Sequence, residues 1–155
     1  MKNTTLILGI GNEILKDDGI GPKIVSRLAG ELPASGFDYQ SASLGGLELV
    51  ELIRGYQRVI LIDAINTGQG QVGDVYFFTP QDFKETLHLS NLHDISFLQA
   101  LELGRHINIP IPEEILIIAI EIREDKVFGE EFSPELQNRY EQIYKLIKDY
   151  LKNIG

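Results

Sequence analysis

Three aspartates stand where an α/β protein usually keeps its chemistry. Asp17 and Asp18 follow the turn Gly9-Ile10-Gly11-Asn12, and Asp63 ends the apolar run Val59-Ile60-Leu61-Ile62. In an open α/β sheet, ligands bind beyond the carboxyl ends of the strands. If the first and third strands are parallel neighbours, the Asp17/Asp18 loop and Asp63 open onto one crevice. The chain has three histidines, His88, His93 and His106. His88, in Thr86-Leu87-His88-Leu89, is flanked by apolar residues and reads as a packing or surface residue. His106 follows Gly104-Arg105 at a helix end, where an imidazolium has an ordinary electrostatic role. His93, in Ser90-Asn91-Leu92-His93-Asp94, opens a predicted helix. Two carboxylates and one imidazole make an open site for nickel, zinc or a similar divalent ion, with room for water or substrate.

Each piece also has a plainer explanation. Gly9 and Gly11 allow a tight strand-to-loop turn without any ligand. One of Asp17 and Asp18 is expected to cap the helix starting at Gly19. Asp17 is taken as the structural member and Asp18 as the functional one, a choice that spacing alone does not make. Asp63 by itself also reads as a loop carboxylate. The glycines supply only half a dinucleotide fingerprint, because Ile14 stands where the third glycine belongs. Two aspartates would also set negative charge where phosphates need bare N–H groups. No Gly-Lys-Ser/Thr, His-Glu-x-x-His or Gly-x-Ser-x-Gly occurs, which excludes a Walker loop, an ordinary zinc protease and a nucleophile elbow. Cysteine is absent, so thiolate chemistry and disulfides are excluded too.

Short apolar runs alternate with helical patterns, which predicts an α/β fold of three layers around a mostly parallel twisted sheet of five strands. The strands are expected at 6–10, 37–41, 59–63, 75–78 and 115–122, and the helices at 19–32, 47–54, 92–104 and 134–152. The runs at 59–62 and 115–120 are continuously apolar, as strands covered on both faces should be. Only residues 64–74 separate the third and fourth strands. That gap is too short for a crossover helix, so the fourth strand is predicted antiparallel and at an edge. The last helix is the clearest: Ser133 caps it, Pro134 suits its first turn, and Leu136, Tyr140, Ile143, Ile147 and Leu151 form one apolar stripe.

With 155 residues the chain fits one domain over residues 1–155. Its net charge of −9 and scattered basic residues argue against nucleic acid as a partner. Apolar runs are too short for a signal-peptide core or a membrane span, so a cytoplasmic protein with no membrane partner is expected.

The segment Gly9-Ile10-Gly11-Asn12-Glu13-Ile14-Leu15-Lys16-Asp17-Asp18-Gly19-Ile20-Gly21 resembles the opening motif of the hydrogenase maturation endopeptidases, Gly-x-Gly-Asn-x-Leu-x-x-Asp-Asp/Glu-Gly-x-Gly. The resemblance continues in Gly45-Gly46-Leu47-Glu48-Leu49, Ile62-Asp63-Ala64 and Leu92-His93-Asp94, and weakens after Gly104. It implies a cytoplasmic endopeptidase that removes a C-terminal extension from the nickel-loaded precursor of a [NiFe]-hydrogenase large subunit. Carried over by position, it implies that Asp18, Asp63 and His93 are the catalytic metal ligands. The Ni2+ they meet would be supplied by the substrate, and other divalent ions would bind in its place. Two departures matter. The family often has Glu where this chain has Asp18, and its acidic residue ahead of the central glycines is replaced by Ser41-Ala42-Ser43. Competing readings are a non-cleaving, nickel-dependent assembly factor and a peptidase of the related spore-germination type.

Overall fold

A computed structural model describes residues 4–33, 36–43, 45–82, 96–123 and 127–155. Five strands form one sheet: β1 (Thr5–Ile10), β2 (Phe37–Ala42), β3 (Arg58–Ile65), β4 (Val75–Phe78) and β5 (Glu114–Glu121). Their order is β2-β1-β3-β5-β4, with β1, β2, β3 and β5 parallel and β4 antiparallel on β5. The short gap before β4 thus produces the antiparallel edge strand that its length requires.

Four helices cover the sheet: α1 (Ile20–Glu31), α2 (Gly46–Ile53), α3 (Phe97–His106) and α4 (Pro134–Ile154). Strand residues alternate between two apolar layers. On one face Ile7, Ile60, Ile62, Ile118 and Ile120 pack with Ile24 and Leu28 of α1 and Ile143 and Ile147 of α4. On the other, Leu6, Leu8, Leu61 and Ile117 pack with Leu49 and Ile53 of α2 and Phe97 and Leu101 of α3. The continuous apolar runs are therefore read by both layers at once.

α4 starts as expected, with Pro134 in its first turn and Ser133 Oγ accepting the Leu136 N–H at 3.4 Å. Leu136, Ile143, Ile147 and Leu151 are buried and Tyr140 is half-buried against the same cluster. α3 differs from the sequence expectation. It begins at Phe97 and runs two residues past Gly104, to His106. Ser96 and Gln99 close a capping box at its start, a Ser-x-x-Gln signal that marks the N-terminus better than periodicity does. Residues 92–95 of the predicted helix lie outside the described residues. Because α3 leads into the beginning of β5, its N-terminus points to the edge where the parallel strands end.

Among the described residues no helix is long and apolar enough to cross a membrane.

Candidate active site

β1 and β3 are paired in parallel, with Gly9 opposite Ile62. β1 ends at Ile10 and β3 runs on to Ile65, so the loop after β1 and the last residues of β3 share the carboxyl edge of the sheet. The glycines of the opening motif are what allow α1 to leave that edge so closely. A methyl group on Gly9 would sit 2.6 Å from the Gly21 carbonyl oxygen. One on Gly21 would sit 2.8 Å from the Ile10 oxygen and nearer still to that of Ile62. The first turn of α1 therefore rests directly on the backbone of β1 and β3. These glycines serve backbone packing rather than a phosphate cradle.

Between them the loop is tightly bonded. Asn12 Oδ1 accepts the Ile14 N–H at 3.1 Å, and the Asn12 carbonyl accepts the Leu15 N–H at 3.1 Å. The Leu15 carbonyl accepts the Asp18 N–H at 2.8 Å. The chain then makes a 3-10 turn, Lys16–Gly19, that lies against β3 and runs straight into α1. This corrects one sequence expectation: neither aspartate caps α1. Its N-cap is Gly19, with no side-chain cap, because the preceding turn is already helical and the Ile20 N–H bonds the Asp17 carbonyl.

The two aspartates have different partners. Asp17 is fully buried and turns away from the edge toward α4, where Oδ1 accepts the Ser133 N–H at 2.7 Å and Oδ2 accepts the Ser133 hydroxyl at 2.6 Å. It is structural, as expected, but for a different helix. Asp18 is 3% exposed, and its Oδ2 accepts the Asn12 N–H at 3.0 Å. That N–H, the first after the glycines' turn, is thus already matched to a carboxylate instead of standing ready for a phosphate.

Asp63 is fully buried, near the end of β3, and its Oδ1 accepts the Ala64 N–H at 2.8 Å. It shares the α2/α3 side of the sheet with Val59 and Leu61. In register across the sheet lie Ala119 of β5 and Tyr76 of β4. One step further toward the edge, Ile65 pairs with Glu121, an acid the sequence reading passed over. Glu121 is fully buried. It accepts from the Thr67 N–H at 2.8 Å, the Thr67 hydroxyl at 2.5 Å, the Tyr76 hydroxyl at 2.9 Å and Arg123 Nη1 at 2.6 Å. Burial alone would raise its pKa, but these hydrogen bonds to the charged form hold it below the ordinary carboxylate value. A signal existed in the sequence: like Asp63, Glu121 ends a continuous apolar run.

Of the histidines, His106 occupies the last turn of α3, at the opposite end of the sheet from Asp18 and Asp63. His88 and His93 lie outside the described residues. Among the described residues, no group of three or more His, Cys, Asp or Glu side chains is placed to hold a metal ion. The arrangement offers two buried carboxylates at one edge of the sheet, with a helix N-terminus, that of α3, directed to the same edge.

Comparisons with known proteins agree with this architecture. The family model described as "Hydrogenase maturation protease" (HycI) matches residues 23–150, a stretch that includes Asp63 and His93 and starts after Asp18. The chain is 26% identical over 153 residues to the hydrogenase expression/formation protein HupD of Thiocapsa roseopersicina, covering 97% of this chain and 68% of that protein. It is 27% identical over 112 residues to the protein HydD of Wolinella succinogenes, covering 69% and 67%. The fold is that of the hydrogenase maturating endopeptidase HybD from Escherichia coli, with a TM-score of 0.70 at 22% identity over 100% of this chain and 94% of that one. The [NiFe] hydrogenase maturation protease HycI from Thermococcus kodakarensis gives a TM-score of 0.69 at 22% identity, over 97% and 94%. The chain belongs to the hydrogenase maturation protease family.

Proposed function

We propose that this protein is an endopeptidase that removes the C-terminal extension from a nickel-loaded [NiFe]-hydrogenase large-subunit precursor. The observation that carries the proposal is the delivery of Asp18 and Asp63, both buried, to one carboxyl edge by adjacent parallel strands. Family membership supports it.

In this reading the nickel belongs to the substrate. Asp18, Asp63 and His93 complete its coordination, two hard oxygen donors and an imidazole forming an incomplete shell that the precursor's own ligands finish. The protein's contribution is then positioning. The bonded loop fixes Asp18 and the strand fixes Asp63, so the scissile peptide is held beside the ion. Hydrolysis would proceed either by metal polarisation of the scissile carbonyl, which opens its carbon to attack by water, or by a carboxylate acting as general base on that water. The protein works in the cytoplasm, where the precursor is assembled.

The test is mass analysis of precursor incubated with the purified protein. Loss of the extension supports the proposal. Precursor that binds tightly and is never shortened would favour an assembly factor instead.

A further inference from the structure

We propose that the exposed apolar strip formed by Ile14, Val127 and Phe128 seats the precursor beside its cleavage point, and that the seated segment is apolar with lysine or arginine close by. This rests on the proteolytic reading above and adds the surface and the chemistry of the segment it takes.

Ile14 is 51% exposed, Val127 44% and Phe128 76%. Phe128 is the most exposed large hydrophobic side chain among the described residues. An aromatic ring left in water is costly, and clustered apolar side chains on a surface mark an interaction site. Leu103 and Ile107 stand one turn apart where α3 ends, at the far end of the sheet from Asp18, while Leu47, Phe77 and Leu146 are exposed one each on α2, β4 and α4. Scattered singles of that kind are ordinary.

The strip is built onto the acid-bearing loop. Leu15 and Gly129 form a parallel bridge, with the Gly129 N–H donating to the Ile14 carbonyl at 2.8 Å and the Lys16 N–H donating to the Gly129 carbonyl at 2.9 Å. In parallel register the preceding residues, Ile14 and Phe128, come side by side. Lys16 adopts a φ of 33°, a left-handed conformation that a non-glycine residue holds only under constraint. The bridge on one side and the Asp17–Ser133 pair on the other supply that constraint. The Leu15 carbonyl in turn holds the Asp18 N–H at 2.8 Å. Strip and candidate site are therefore parts of one bonded unit, and a chain lying on the strip is carried toward Asp18.

Charge selects the occupant. Glu13, Glu130 and Glu131 are exposed beside the strip and outnumber two half-buried cations there, Lys16 laid along Gly129 and Lys23 bonded to the Glu130 carbonyl, in a chain of net charge −9. A second copy would bring the same acids face to face, which opposes self-association. A segment with apolar residues and nearby Lys or Arg is complementary to both the strip and its border.

The experiment compares the unaltered protein with Phe128→Ser, Ile14→Ser and, as an exposed apolar control on α4, Leu146→Ser. KM and kcat are measured on nickel-loaded precursor, and precursor binding is measured on the immobilised proteins. The exposed positions predict unchanged melting temperatures. Phe128→Ser and Ile14→Ser should raise KM about ten- to thirtyfold with kcat within about twofold, the cost of truncating an interface anchor, and Leu146→Ser should match the unaltered protein. Binding by the unaltered protein should weaken several-fold between about 0.05 and 0.5 M salt; no salt effect would overturn the basic character of the partner. Cleavage by the unaltered protein with the same KM in both strip variants overturns the strip and leaves proteolysis standing. If the unaltered protein does not cleave, proteolysis falls. The binding data then decide the strip: weaker capture by both variants supports it, and equal capture or none overturns it.

Discussion

Asp17 and Ser133, 116 residues apart in sequence, meet in two short hydrogen bonds, from the Ser133 N–H at 2.7 Å and from its hydroxyl at 2.6 Å. The pair ties the loop carrying Asp18 to the N-terminus of α4. A carboxylate suits that place, since it answers unpaired N–H groups and the positive end of the helix dipole.

Removing Asp17 should therefore cost stability. Asp17→Ala leaves the buried Ser133 donors unmatched and should cost about 2–4 kcal/mol. Asp17→Asn keeps one acceptor and should cost less. Urea unfolding of the two variants checks this; a loss under about 1 kcal/mol for Asp17→Ala would contradict the structural role.

The packing account of the glycines gives a paired test. Gly21→Ala pushes a methyl group against the Ile10 and Ile62 carbonyl oxygens, which are strand backbone and cannot step aside. It should destabilise by about 3 kcal/mol or more. Gly30→Ala, also in α1, meets nothing within 4 Å and should stabilise by roughly 0.5–1 kcal/mol through helix propensity. Thermal melts of both variants separate the two effects. A harmless Gly21→Ala would show that the motif glycine is kept for another reason.

Glu121 predicts acid sensitivity. Its folded pKa lies below the ordinary value, so it contributes stability that is present above the ordinary carboxylate pKa and lost as pH falls through the folded value. Glu121→Gln removes the charge that Thr67, Tyr76 and Arg123 bind, and should cost about 2 kcal/mol at pH 7. The difference between the two proteins should shrink as the unaltered protein is taken below pH 4 in urea titrations. A difference that stays constant with pH would refute the assignment.

Much of this was legible in the sequence because strands buried on both faces leave unbroken apolar runs. Val59–Ile62 and Ile115–Ile120 each fall inside an observed strand, and the residues that end those runs, Asp63 and Glu121, lie at the carboxyl edge of the sheet. The antiparallel β4 followed from loop length alone. The partner of Asp17 was not legible. A local reading offers the nearest helix start, whereas the side chain reaches Ser133 across 116 positions, a relation set by tertiary packing of α4. The start of α3 was misplaced because apolar periodicity continues through residues that precede the Ser96–Gln99 capping box.

The proposed ligands predict loss of activity without loss of fold. Asp18→Asn and Asp63→Asn keep an oxygen to accept the Asn12 and Ala64 N–H groups, so both should fold normally by circular dichroism. Processing should fall by at least about a hundredfold in each, and in His93→Ala, since a lost ligand displaces the ion that orients the scissile bond. Full activity in Asp18→Asn and His93→Ala would remove the proposed site.

The account stands most directly on one paired incubation: the purified protein with nickel-loaded and with nickel-free hydrogenase precursor, read by intact mass. Shortening of the nickel-loaded form alone is the predicted result. Cleavage of neither form, or equal cleavage of both, would contradict it.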